Sequence, residues 1–177
     1  MRLDENDYLT FQLYTASKAT RVKRARLRSW ILTTLTFACL AYLFYRSDND
    51  FLTVYFLVFA GLSLFFFPLY SRWRYKKHYQ KYVLDVYKDS LGQDIDLEFC
   101  NDNIVTKAKG GEVRINKSEV KEINEIKDFY FIYINTGSAL IIPKKKADNL
   151  DEINREIKSM VDTLGAKHNV ELDWKWT

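Results

Sequence analysis

The stretch YRSDNDFL, Tyr45–Leu52, separates two long runs that carry no charge. Before it lies SWILTTLTFACLAYLFY, residues 29–45, and after it FLTVYFLVFAGLSLFFFPLYS, residues 51–71. At a helical rise of 1.5 Å per residue the second run reaches about 31 Å, enough for a hydrocarbon core of ~30 Å. The first reaches about 25 Å and spans if Arg28 and Arg46 snorkel to the interfaces. The second run is apolar or aromatic all around a helix, which a buried core helix in a chain of 177 residues seldom is. A cleaved leader does not suit the first run, because 28 residues precede it and no small-x-small site follows. The polar stretch therefore reads as the tight turn of a transmembrane hairpin.

Orientation follows from Lys and Arg placement. Lys18, Arg21, Lys23, Arg24, Arg26 and Arg28 precede the first run, and Arg72, Arg74, Lys76, Lys77 and Lys81 follow the second. The turn holds Arg46 with Asp48 and Asp50. Both termini are thus expected in the cytoplasm. Arg28, Trp30, Tyr45, Arg46, Tyr70, Arg72, Trp73 and Arg74 fall at the expected membrane interfaces, where amphipathic rings and snorkelling cations settle.

The rest of the chain changes period. Residues 1–28 read as a cytoplasmic amphipathic segment with Asp4 or Asp7 as N-cap, lying against the membrane or the cytosolic domain. Residues 29–45 and 51–71 are the spans and 46–50 the external turn. A basic, Tyr-rich helix is expected over 72–92, stopped by Gly92, with a kink at Pro68 near its start. Residues 93–165 then alternate with period two through DIDLEF, IVTKAK and EVRI, reach KDFYFIYIN, and continue into SALIIP. KDFYFIYIN is apolar on both faces, as a central strand is. Leu150, Ile153, Ile157, Met160, Val161 and Leu164 make one helical stripe, capped by Asp148 or Asn149 and ended by Gly165. Residues 166–177 form a strand-like tail alternating Val170, Leu172, Trp174 and Trp176. The fold class is a membrane α-helical hairpin plus a cytosolic α+β domain.

This order of elements resembles the YcxB-like bacterial membrane proteins: DENDYLTFQLY, two close spans, a basic Tyr-rich helix, and a small sheet ending in YFIYINTGSALIIPKKKA before a helix. The best-matching segment is Ser118 to Leu164. The resemblance implies a pleckstrin-homology-like cytosolic domain, a bent antiparallel sheet capped by a C-terminal helix, on the bacterial cytoplasmic membrane. It implies no activity. Lys144–Lys146 run into Ala147 where that family usually has a basic residue and then a Phe, and the Trp-containing tail looks added.

The residues point away from catalysis. His78 and His168 have no ligand-type neighbours at metal-binding spacing, and no nucleophile elbow, Walker loop or dinucleotide fingerprint occurs. Catalytic residues, metal ligands and cofactors are accordingly assigned to no position. Cys39 and Cys100 read as small packing residues. RWRYKKHYQK interleaves basic and aromatic residues but directly follows a span. Residues 93–177 hold 13 Lys plus Arg against 16 Asp plus Glu, a net −3, which argues against nucleic acid.

Partners expected are the lipid bilayer and a protein. Lys144, Lys145 and Lys146 are candidates for a lipid or acidic-partner contact, and Trp174 and Trp176 for an edge-strand contact. The function is read as a non-enzymatic, membrane-anchored interaction or regulatory protein. The alternatives are an immunity protein against a membrane-acting toxin, using Ala38, Ala41, Ala60, Gly61 and Ser63 for helix packing, and an anionic-lipid sensor. A homo-oligomer stays open.

Overall fold

The computed structural model describes residues 1–176, so Thr177 of the C-terminal tail lies outside the described residues. The helices are α1 (Glu5–Lys18), α2 (Thr20–Arg46), α3 (Asp50–Val86) and α4 (Leu150–Leu164). The strands are β1 (Asp96–Phe99), β2 (Asn103–Ala108), β3 (Gly111–Asn116), β4 (Val120–Ile126), β5 (Phe129–Ile134), β6 (Ala139–Pro143) and β7 (Lys167–Glu171). Two compact units result, one of residues 1–11 and 82–175, the other of residues 12–81 with Trp176.

The second unit is the hairpin. Only Ser47, Asp48 and Asn49 separate α2 from α3. The amide of Asn49 donates to the Phe44 carbonyl and that of Asp48 to Tyr45, with Asp48 left-handed at φ 50°. This is a Schellman ending with Asp in the position that glycine usually takes. Asn49 then caps α3, its side-chain oxygen accepting from the Leu52 amide at 3.1 Å.

The two helices are joined by side chains from end to end. Phe44 stacks on Phe56 with ring centroids 5.4 Å apart, and Phe37 meets Phe56 and Phe59. Ala41 is buried, and the Thr34 and Ser63 hydroxyls lie 2.9 Å apart. The Trp30 indole donates to the Ser63 carbonyl. Around this seam the surface is apolar and exposed. Only 6% of the most hydrophobic window of either helix is buried, which is not how a soluble core helix behaves. Both helices are long and apolar enough to cross a membrane.

One feature differs from expectation. The helix expected to run to Gly92 stops at Val86, and residues 87–92 form turns. Gly92, at φ 70°, gives its amide to the Leu3 carbonyl, so the chain leaves the helix to pair with residues 1–3. As expected, the second apolar run continues directly into the basic, Tyr-rich segment, with Pro68 inside the one helix α3.

The other unit is the α+β domain. β1–β3 form a three-stranded antiparallel sheet, and the second sheet has the order β6-β5-β4-β7. The single bent antiparallel sheet needs correction in two respects. The strands divide between two sheets, and β7 joins β4 in parallel. The parallel edge follows from connectivity: α4 carries the chain back along the sheet, so the next strand enters in the same direction as β4.

β5 occupies an inner position with both faces covered, as its double-sided apolarity requires. Tyr130 and Ile132 on one face join Ile123, Ile142 and, from α4, Ile153, Ile157 and Met160 in the main core. On the other face Phe131 meets Phe11 of α1 at 5.4 Å, and Tyr133 meets Phe11 at 6.0 Å. Residues 1–11 are thus part of the domain. Asp4 caps α1 by accepting from the Asn6 and Asp7 amides, and Asp7 accepts from the Asp4 amide in return, a reciprocal capping box. At the far end Asn149 caps α4 and Gly165 ends it at φ 68°.

Candidate functional site

β6 ends at Pro143 and the following turn aims the side chains of Lys144–Lys146 at different acids. Lys144 bonds Glu125 at 2.7 Å and lies 4.3 Å from the Tyr130 ring centre. Lys145 pairs with Asp128 at 2.8 Å, and Lys146 with both Asp4 and Asp7. The lysines are therefore matched, each by a carboxylate of the same domain. Lys145, 82% exposed, is the only one of the three that presents its amine broadly to solvent.

These pairs leave electrostatic signatures. The Lys146 hydrogen bond holds the Asp4 carboxyl below its ordinary value. At Glu125 burial pushes upward, but the Lys144 hydrogen bond and charge outweigh it and the net direction is down. Burial, reinforced by the Glu125 charge, pushes the Tyr130 phenol up to about 12. His168 of β7 also reaches Glu125, at 3.1 Å, and Asn169 donates to Asn124 across the parallel pair. This polar cluster ties β7, β4 and β6 together, and its groups are occupied with one another.

The tryptophans of the tail do not lie on a strand. β7 ends at Glu171, where the Trp174 amide returns to the Glu171 carbonyl and closes a turn. Trp174 and Trp176 fall after it, a correction to the alternation that placed them on the strand. Trp176 belongs with the hairpin unit: its indole donates to the Arg72 carbonyl at 3.1 Å, and the Arg26 guanidinium sits 5.1 Å from its ring centre.

The interfacial residues read from sequence occupy both ends of the hairpin. Tyr45 and Arg46 are exposed at the turn. At the open end Arg28, Tyr70, Arg72, Trp73 and Arg74 are exposed, and Trp30 is half-buried in the seam. Tyr70 lies 6.2 Å from Trp73, which also carries the Lys77 ammonium 5.2 Å from its ring centre. Such rings beside cations suit the headgroup layer.

Sequence reasoning missed how the open end is built. Arg26 donates to the buried Ser71 hydroxyl at 3.2 Å and lies 5.8 Å from the Tyr75 ring centre. Beside it opens a cleft of about 310 Å³, lined by Arg26, Ser29, Phe67, Arg74, Tyr75 and His78 among others. The only available signal was the antiparallel register: once Thr34 faces Ser63, Arg26 must face Ser71.

A hairpin of two helices long and apolar enough to cross a membrane, together with a mixed α+β domain, is the class these features define. Residues 99–155, from the end of β1 into α4, match the family model described as YcxB-like protein, the family that the order of elements resembles. No curated protein and no solved structure matches the chain.

Proposed function

We propose that the protein is a non-enzymatic, membrane-anchored interaction module. In this reading both termini are cytoplasmic and the domain is a variant of the pleckstrin-homology-like architecture with an added parallel strand. The positive-inside pattern supports the orientation, with eleven Lys and Arg flanking the open end of the hairpin and one Arg in the turn. Two three-stranded meanders, β1–β3 and β4–β6, followed by a C-terminal helix support the architecture.

The observation that carries the interaction reading is β7. It is a sheet edge with Val170 exposed, and Leu172 beside it is exposed as well. An edge strand offers backbone donors and acceptors to a strand of another protein. The test is affinity capture from membranes in mild detergent with Val170→Lys/Leu172→Lys. Loss of a partner that the unaltered chain retains supports the reading, and equal capture rejects this edge.

The immunity reading is kept for one observation. Ala41 and Ser63 are used inside the hairpin, but Ala38 lies exposed on its outer side, a small-residue surface where another helix could approach. Protection of cells against a membrane-acting toxin, lost with Ala38→Leu, is its test.

A further inference from the structure

β3 is an edge of the three-stranded sheet, and among the described residues only β2 pairs with it. Its first four residues, Gly111 to Arg114, are exposed one after another, and Val113 is 58% exposed. Edges are commonly blunted by proline, lysine or a bulge. β3 reads GEVRIN, with no proline or lysine, and its register with β2 runs without a shift. The edge is left able to pair.

The ladder decides which groups point outward. The Lys117 amide donates to the Asp102 carbonyl, one step beyond the Asn103–Asn116 pair. Alternation along an antiparallel ladder then turns the backbone groups of Val113 and Ile115 toward β2, and those of Glu112 and Arg114 away from it. Side chains alternate as well. Val113 and Ile115 share a face with their partners in β2, Thr106 and the fully buried Ile104. Glu112 and Arg114 lie on the opposite face with Lys107 and bond each other at 2.6 Å. Lys107 in turn bonds Glu98 of β1, so charge alternates in sign across the sheet to its edge.

An antiparallel strand centred on Val113 suits this edge, and β3 is itself such a strand. In that register Glu112 faces Arg114 of the second copy, Arg114 faces Glu112 of the second copy, and both pairs exchange their outward backbone bonds. Val113 meets its own counterpart in a non-hydrogen-bonded pair, where side chains come closest. Ile115 falls opposite Gly111 of the second copy, and no atom lies within 4 Å of where a Cβ on Gly111 would sit. Moving the centre by one residue sets Glu112 against Glu112 or Arg114 against Arg114, which is repulsive. The joined sheet is apolar on one face and alternates charge on the other.

We propose that two copies of this chain associate through β3, paired antiparallel about Val113 into one continuous sheet. The site is separate from the β7 edge, which belongs to the other sheet. Full-length chain with Cys39→Ser/Cys100→Ser as background is oxidised mildly in whole-cell lysate. Val113→Cys is expected to give a disulfide-linked dimer, because facing Cα atoms of such a pair lie ~4.5 Å apart, within disulfide reach. Val170→Cys on β7 is expected to give none. Two differently tagged copies are then co-purified in mild detergent. Glu112→Arg opposes Arg114 of the second copy and is expected to weaken co-purification about tenfold. Glu112→Arg/Arg114→Glu is expected to restore it between swapped copies, yet not to retain the unaltered chain, since unlike copies set like charges opposite. The swap keeps an ion pair between the two positions within each chain, so a folding defect in Glu112→Arg does not decide the outcome.

Absence of the Val113→Cys dimer overturns the site, as do free mixing of swapped and unaltered chains and a dimer that Glu112→Arg leaves intact. A dimer trapped by Val170→Cys instead moves self-association to β7. A chain that stays single but loses a different protein with Glu112→Arg gives the edge to that protein and overturns self-pairing. Loss of capture with Val170→Lys/Leu172→Lys bears on β7 alone, so the two readings fail separately.

Discussion

At the residue scale, Lys146 shows how a basic residue can be structural. Its ammonium bridges Asp4, which is exposed, and Asp7, whose side chain is only 5% exposed. Removing the amine leaves a buried carboxylate beside the N-terminus of α1 without its counter-charge. Lys146→Ala is expected to destabilise the domain by about 2 kcal/mol, checked by thermal unfolding in detergent. The pH dependence has a definite sign. Asp4 and Glu125 have folded values below their unfolded values of 3.8 and 4.5. Their contribution is present above those values and is lost as pH falls through the folded ones. The melting temperature should therefore drop below about pH 4.5. Tyr130 acts at the other end. Its phenol is raised from 10.0 to about 12, so stability is present below pH 10 and is lost as pH rises through 12. Tyr130→Phe should flatten the alkaline limb of the same melting curve.

At the element scale, the turn between α2 and α3 depends on two residues with opposite characters. Asp48 accepts a left-handed conformation that glycine adopts without a Cβ clash. Asp48→Gly is expected to stabilise the hairpin by about 0.5–1 kcal/mol. Asn49→Ala removes the α3 cap and should cost about 1 kcal/mol. Both are measured as shifts in the helical melting transition in micelles. Gly165 tests the same physics on α4. No atom lies within 4 Å of where its Cβ would sit, so Gly165→Ala isolates the conformational term, expected at about 1 kcal/mol of destabilisation. A large loss beyond that would mean the αL ending also fixes the entry of β7.

At the scale of the whole molecule, β7 changes how the tail must be treated. Residues 166–177 look separable in sequence, yet β7 pairs with β4 over five residues and Ala166 belongs to the main core. Truncation after Gly165 should expose the β4 edge and lower the domain's melting temperature while leaving carbonate-resistant insertion intact. Partner capture is better tested with substitutions on the outer edge. The sequence by itself determined the two long apolar helices, the turn, the positions of β1–β6 and the apolar stripe of α4. Each is written in a local quantity: a length of uncharged residues, a period of two, or a period near 3.6. Only the tertiary structure decided that residues 1–11 cover the second face of β5, that β7 runs parallel to β4, that Lys144–Lys146 are neutralised, and that Arg26 and Arg74 line one cleft. Those outcomes join residues far apart in the chain. A local pattern fixes which face of an element is apolar or charged, but it does not specify which distant element will meet that face.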